Sequence, residues 1–145
     1  MLASTVSAAL PLSGSVTTTP VGAPIPPLMP AAATASAWLK KSGGMKAVGE
    51  RNRIKAQTLY AAIDASHLYK SPVAKDSRSW MNVTFTLDEP GLDAEFLTAA
   101  AQAGLHGLKG HRVLGGMRAS IYNAMPLCGV EALIAFMREF ERRHA

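Results

Sequence analysis

Two arginines and a histidine stand on either side of a glycine pair in the run Gly110-His111-Arg112-Val113-Leu114-Gly115-Gly116-Met117-Arg118. A guanidinium carries fixed, paired donors that match a phosphate or a carboxylate. Glycine lets backbone approach a ligand closely and take turns that other residues cannot. Two arginines converging with an imidazole would therefore suit a dianionic phosphoester. The competing reading of the same residues is a set of exposed basic side chains beside a hairpin turn.

Elements must hold such a site in place. Met117, Ala119 and Ile121 alternate with Arg118, Ser120 and Tyr122, so a strand here sends Arg118 to the face opposite its apolar neighbours. The glycine-rich stretch before it predicts two short extended segments around a turn. Met81, Val83, Phe85 and Leu87 alternate with Asn82, Thr84 and Thr86, the period of a strand with one buried face. Asp88-Glu89-Pro90-Gly91 opens a helix running to about Ala103, with Leu92, Phe96, Leu97, Ala100 and Ala103 at helical spacing. A last helix starts near Pro126, placed in its first turn, and carries the stripe Val130, Leu133, Ile134, Met137 and Phe140.

Upstream, Trp38-Leu39-Lys40-Lys41 reads as the end of a helix closed by Gly43-Gly44. A second helix spans Met45 to about Ala65, with Val48, Ile54, Leu59, Ala62 and Ile63 inward and Glu50, Arg51, Arg53, Lys55 and Gln57 on other faces. Ser66, Pro72 and the Asp76–Ser79 cluster predict a loop. The order of elements is that of an α+β domain, helices packed on a short, mainly antiparallel sheet.

The chain divides at about residue 36. No Lys, Arg, Asp or Glu precedes Lys40, and six of the nine prolines lie between Pro11 and Pro30. Residues 1–36 are therefore expected to be irregular or disordered, and 37–145 to form one domain. The tract lacks the charged start and clean apolar run of a secretory leader, and no uninterrupted apolar stretch is long enough to span a membrane. The formal charge is +5 in 145 residues, but its basic residues are interleaved with acids, as in Arg138–Arg143. That is a solvated helix face rather than a nucleic-acid surface. Cys128 is alone, which excludes an internal disulfide and fits a reducing cytoplasm; burial as a small side chain is its expected fate. Trp38 and Trp80 are expected in core or interface packing. His67, His106 and His144 show no metal-ligand spacing.

The stretch Gly110 to Ala145, together with WLKKSGG, ERNRIKAQTLYAAID and SPVAKDSRSWMNVTFTL in the same order, resembles the C-terminal end of phosphoserine aminotransferases from about Trp38 onward. The resemblance implies the small C-terminal domain of an aspartate-aminotransferase-like fold. It also implies a pyridoxal-phosphate enzyme that passes an amino group from glutamate to 3-phosphohydroxypyruvate in serine biosynthesis, and a homodimer. His111, Arg112 and Arg118 correspond to residues that grip the substrate phosphate, partly across the dimer interface. The Schiff-base lysine and the other cofactor contacts of the family lie in its large domain. Lys40, Lys41, Lys46, Lys55, Lys70, Lys75 and Lys109 all fall in segments matching non-catalytic parts. The isolated chain is thus expected to be inactive, and no catalytic or cofactor-binding residue is assigned. An uncharged tract abutting a well-matched domain reads as a truncated, fused or frame-shifted product. The alternative is an inactive remnant acting, if at all, as a docking domain.

Overall fold

The computed structural model describes residues 31–89, 91–112 and 115–144. The expected disorder of the first thirty residues lies outside that range. Helix α1 (Ala31–Lys41) begins five residues before the expected onset of order at Ser36, because Ala31-Ala32-Ala33 and Ala35 are strong helix formers. It ends at the predicted glycines, with Gly43 in the left-handed region at φ 90° and its N–H on the Lys40 carbonyl.

The remaining elements are α2 (Gly44–Asp64), β1 (Tyr69–Lys70), β2 (Asn82–Leu87), α3 (Leu92–Gln102), β3 (Lys109–His111), β4 (Gly115–Ser120) and α4 (Leu127–Arg143). The strands form one antiparallel sheet in the order β1-β2-β4-β3. Two short elements lie in the segment read as loop, β1 and a single 3-10 turn at Lys75–Ser77, since two residues among Ser66, Ser71 and Pro72 carry no alternation to read. Pro126 sits at the N-cap of α4 in extended conformation, not inside its first turn. Cys128, expected to be buried, is exposed in that turn, because the buried stripe of α4 begins two residues later at Val130.

One face of the sheet carries the core. Val83 and Phe85 of β2 and Met117 and Ala119 of β4 meet Leu59 and Ile63 of α2, Phe96 and Ala100 of α3, and the α4 stripe. Aromatic rings organise its centre: Phe96 lies 5.1 to 5.9 Å from Phe140, Phe136, Tyr69 and Phe85, each in edge geometry. Tyr69 donates its hydroxyl to the Met137 carbonyl at 3.0 Å, and burial, with the Glu141 charge behind it, keeps that phenol protonated well above its ordinary range.

The polar side of α2 departs from its helical pattern. Lys55, placed on an outer face by its charge, is buried, as is Asn52, whereas Ile54, expected inward, is exposed. The Lys55 ammonium donates to the carbonyls of Ile121, Tyr122 and Met125 at 3.1, 2.7 and 2.9 Å. Asn52 donates to Asn123 Oδ1 at 2.7 Å. Together they tie α2 to the segment joining β4 to α4. Burial holds the Lys55 amine below its usual range, with Arg51 adding repulsion.

At the far end of α4, Glu141 Oε1 accepts from Ser66 Oγ and from the backbone N–H groups of His67 and Leu68. His144 stacks on Phe140 with centroids 4.2 Å apart. Its Nδ1 faces the Phe140 carbonyl at 2.8 Å and its Nε2 faces Glu95 at 3.1 Å. Both ring nitrogens confront acceptors, an arrangement that favours the imidazolium form, which donates from both. The Phe140 carbonyl, with the Glu95 and Glu89 charges behind it, raises the His144 pKa above 6.5. A raised folded-state pKa contributes stability that is fully present below the unfolded value and is lost as pH rises through the folded one. The melting temperature is therefore expected to fall slightly on passing from pH 6 to pH 8. His144→Ala should flatten that change, as read by thermal melts at both pH values.

Candidate anion site

The polar face of the sheet is the one left without helices. It presents Asn82, Thr84 and Thr86 from β2 and Gly116, Arg118 and Ser120 from β4, all half-buried. Asn82 pairs with Ser120 and Thr84 with Arg118 across the strands. Ser120 Oγ donates to Asn82 Oδ1 at 3.2 Å. Arg118 thus lies on the predicted face, its backbone N–H fixed to the Leu108 carbonyl at 2.7 Å. Its Nε is buried and has no hydrogen-bond partner. A guanidinium donor withdrawn from water without an acceptor is costly, and an anion on this face would satisfy it.

The hairpin around it admits only glycine at two positions. A Cβ on Gly110 would stand 2.1 Å from the Gly115 carbonyl oxygen and 2.6 Å from that of Gly116. Gly116 has φ +61°, and a Cβ there would meet the Phe85 carbonyl at 2.9 Å. Both clashes involve backbone, which cannot move aside without opening the β3–β4 or β2–β4 ladder. These glycines bring the strands together closely enough to hold the tip bearing His111 and Arg112 in register with β4.

His111 is exposed at the end of β3, paired with Gly115, and Arg112 is exposed in the turn that follows. That register gives His111 the parity of Met117 and Ala119, opposite to Arg118. The hairpin places His111 and Arg112 at its tip and Arg118 on the sheet face. Alternation predicted the face of Arg118. The parity of His111 depended on hairpin register, which a run of glycines does not specify.

The lysines among the described residues are either held by partners or open to solvent. Lys55 is held by three carbonyls, Lys70 pairs with Asp88 and Lys75 with Asp64. Lys40, Lys41 and Lys46 are exposed on helices, and Lys109 is exposed on an edge strand. Among the described residues no three His, Cys, Asp or Glu side chains gather as a metal site, and no helix is long and apolar enough to cross a membrane.

Residues 17–133 match the aminotransferase class-V family, a match that begins upstream of Trp38. The chain belongs to that family. It is 59% identical over 108 residues to a phosphoserine aminotransferase of Nitrosomonas europaea, covering 74% of this chain and 29% of that protein. It is 60% identical over 103 residues to the phosphoserine aminotransferase of Haemophilus influenzae, covering 71% and 28%. Among solved structures it resembles the phosphoserine aminotransferase of Bacillus circulans subsp. alkalophilus, at TM-score 0.73 and 48% identity over 75% of this chain and 30% of that one. The phosphoserine aminotransferase of Trichomonas vaginalis, solved with pyridoxal phosphate bound, matches at TM-score 0.67 and 35% identity over 70% and 30%. The fold is thus the expected α+β small domain of that family. The chain spans under a third of the length of these relatives.

Proposed function

We propose that this chain is the C-terminal, substrate-anion-binding part of a phosphoserine aminotransferase, the enzyme that moves an amino group from glutamate to 3-phosphohydroxypyruvate. The observation that carries this reading is Arg118, fixed by register on an open polar face with a buried guanidinium nitrogen that lacks an acceptor. His111 and Arg112 are the companion phosphate contacts. Their place at the hairpin tip, with Arg118 on the sheet face, fits a site assembled across a homodimer, with the hairpin tip of one subunit meeting the sheet face of the other. A cytoplasmic setting follows from the reaction.

Pyridoxal phosphate is the cofactor of the parent family. This chain's lysines do not fit its covalent attachment, so no step through that group is assigned to them. The chain's own contribution is binding: guanidinium and imidazole donors neutralise and orient a dianionic substrate, and the glycine-locked hairpin keeps those donors from relaxing away.

The test supplies the missing part. Alone with pyridoxal phosphate, the purified chain is expected to show neither the absorbance of lysine-bound cofactor nor transamination. Co-expressed with the portion of the Nitrosomonas europaea protein that it does not match, it should support phosphoserine formation. In that complex Arg118→Ala should raise KM for 3-phosphohydroxypyruvate roughly 10- to 100-fold, the loss of one charge-assisted contact. An unchanged KM would remove Arg118 from the site, and robust activity of the isolated chain would overturn the division of labour.

A further inference from the structure

Lys55 is 3% exposed, and a buried ammonium is tolerated only where its donors are met. Its acceptors, the carbonyls of Ile121, Tyr122 and Met125, all lie in one short stretch between β4 and α4. The Tyr122 carbonyl also accepts the Met125 N–H at 2.9 Å, which closes a tight turn. Lys55 therefore bonds both ends of that turn. Asn52, about one helical turn earlier on α2 and equally buried, donates to Asn123 inside it.

The turn is where β4 ends. Ile121 follows the last strand residue, Ser120; its N–H donates to the Met81 carbonyl at 2.8 Å, and its own carbonyl accepts from Lys55. Ile121 is thus gripped from two sides. Arg118 stands three residues upstream. The close backbone fit at Gly110 and Gly116 fixes the start of β4, and α2 fixes its exit. Side chains alternate along a strand, so a shift of β4 by one residue would carry Arg118 to the core side held by Met117 and Ala119. Smaller displacements also matter, because a guanidinium binds an oxyanion through donors of fixed direction.

We propose that Lys55, with Asn52 beside it, is a positioning residue: it fixes the exit of β4 and so keeps the Arg118 guanidinium aimed at an anion on the polar face of the sheet. The proposal rests on the reading of Arg118 as a substrate-anion contact, and adds to it a residue from the helix layer. A single ammonium meeting three carbonyls at 2.7 to 3.1 Å specifies a geometry that no apolar side chain reproduces.

The first test reads Arg118 directly, in the full chain and without substrate. Its Nε is buried, so the Nε–H should give a protected signal in a nitrogen–proton correlation spectrum, identified by its loss in Arg118→Lys. Lys55→Met should speed exchange of that proton with solvent roughly tenfold. Ile63→Ala is the control, since it destabilises the same helix by opening a cavity and leaves the turn alone. It should change the rate by less than about twofold. Equal acceleration in the two variants, or an unchanged Arg118 signal in Lys55→Met, would overturn the proposal. Where Lys55→Met does not fold, Lys55→Arg carries the comparison. It keeps the charge but cannot place one atom among three carbonyls, and should accelerate exchange about threefold.

The second test is kinetic, in the complex with the unmatched portion of the Nitrosomonas europaea protein. Lys55→Met should raise KM for 3-phosphohydroxypyruvate about fivefold, with kcat per folded complex unchanged. In an Arg118→Ala background the same substitution should alter KM by less than about twofold, because nothing is left to position. A purely structural residue would lower the amount of folded complex and leave KM alone. An unchanged KM, or the same rise with and without Arg118, would overturn the proposal. If Arg118→Ala itself left KM unchanged, the functional reading would fail, and the spectrum would still decide whether Lys55 holds Arg118 in place.

Discussion

Phe96→Ala is expected to cost about 3–5 kcal/mol, the range for removing a buried aromatic side chain that leaves a cavity. Phe96 is fully buried and is the ring that Tyr69, Phe85, Phe136 and Phe140 all touch. Each edge-to-face pair adds about 0.5–1.5 kcal/mol beyond area burial, so the loss belongs at the top of that range. Domains of this size hold together by about 5–15 kcal/mol. Phe96→Ala should therefore shift the urea midpoint by a third or more of its value, or leave the domain unfolded at 37 °C. Phe96→Leu keeps most of the volume and should lose much less. Equal losses for the two variants would show that the cavity is not the cause.

Lys55→Met is expected to have the second largest effect, for the opposite reason. Methionine keeps the length of the side chain and removes its charge, so little packing is lost. What disappears is the donor shared by the carbonyls of Ile121, Tyr122 and Met125. Each carbonyl left buried without a donor costs about 1–3 kcal/mol, less where water can reach it. A total near 3 kcal/mol by urea unfolding is the expected result. Amide exchange should accelerate most in residues 121–125. Lys55→Arg, which keeps the charge and the donors but not the point geometry, should recover part of the loss. If Lys55→Met were as stable as the native chain, the ammonium would be a tolerated burden rather than the tie between α2 and the β4–α4 connection.

These two residues also mark how far the sequence can be read. Phe96 was legible, because Leu92, Phe96, Leu97 and Ala100 recur at helical spacing and need only a sheet to face. Lys55 was not. Nothing in a charged residue on an amphipathic helix signals that three carbonyls some 66 to 70 positions away converge on it. Ile54 misled for the same reason, since an apolar residue beside a buried lysine looks like the better candidate for the core. For the candidate anion site, alternation gave the face of Arg118, whereas the place of His111 at the hairpin tip rests on the register between β3 and β4. Register is set by backbone fit at Gly110 and Gly116 rather than by any side-chain pattern.

The sheet ends on both sides in very short strands, Tyr69–Lys70 on one edge and Lys109–His111 on the other. Unpaired backbone groups on a long flat edge invite strand addition from another molecule, and short edges carrying lysine discourage it. Should this chain self-associate at high concentration, fibrous cross-β growth is therefore the disfavoured route. Association through exposed apolar side chains such as Trp38 and Tyr122 would give small, reversible oligomers instead, which dilution would dissolve.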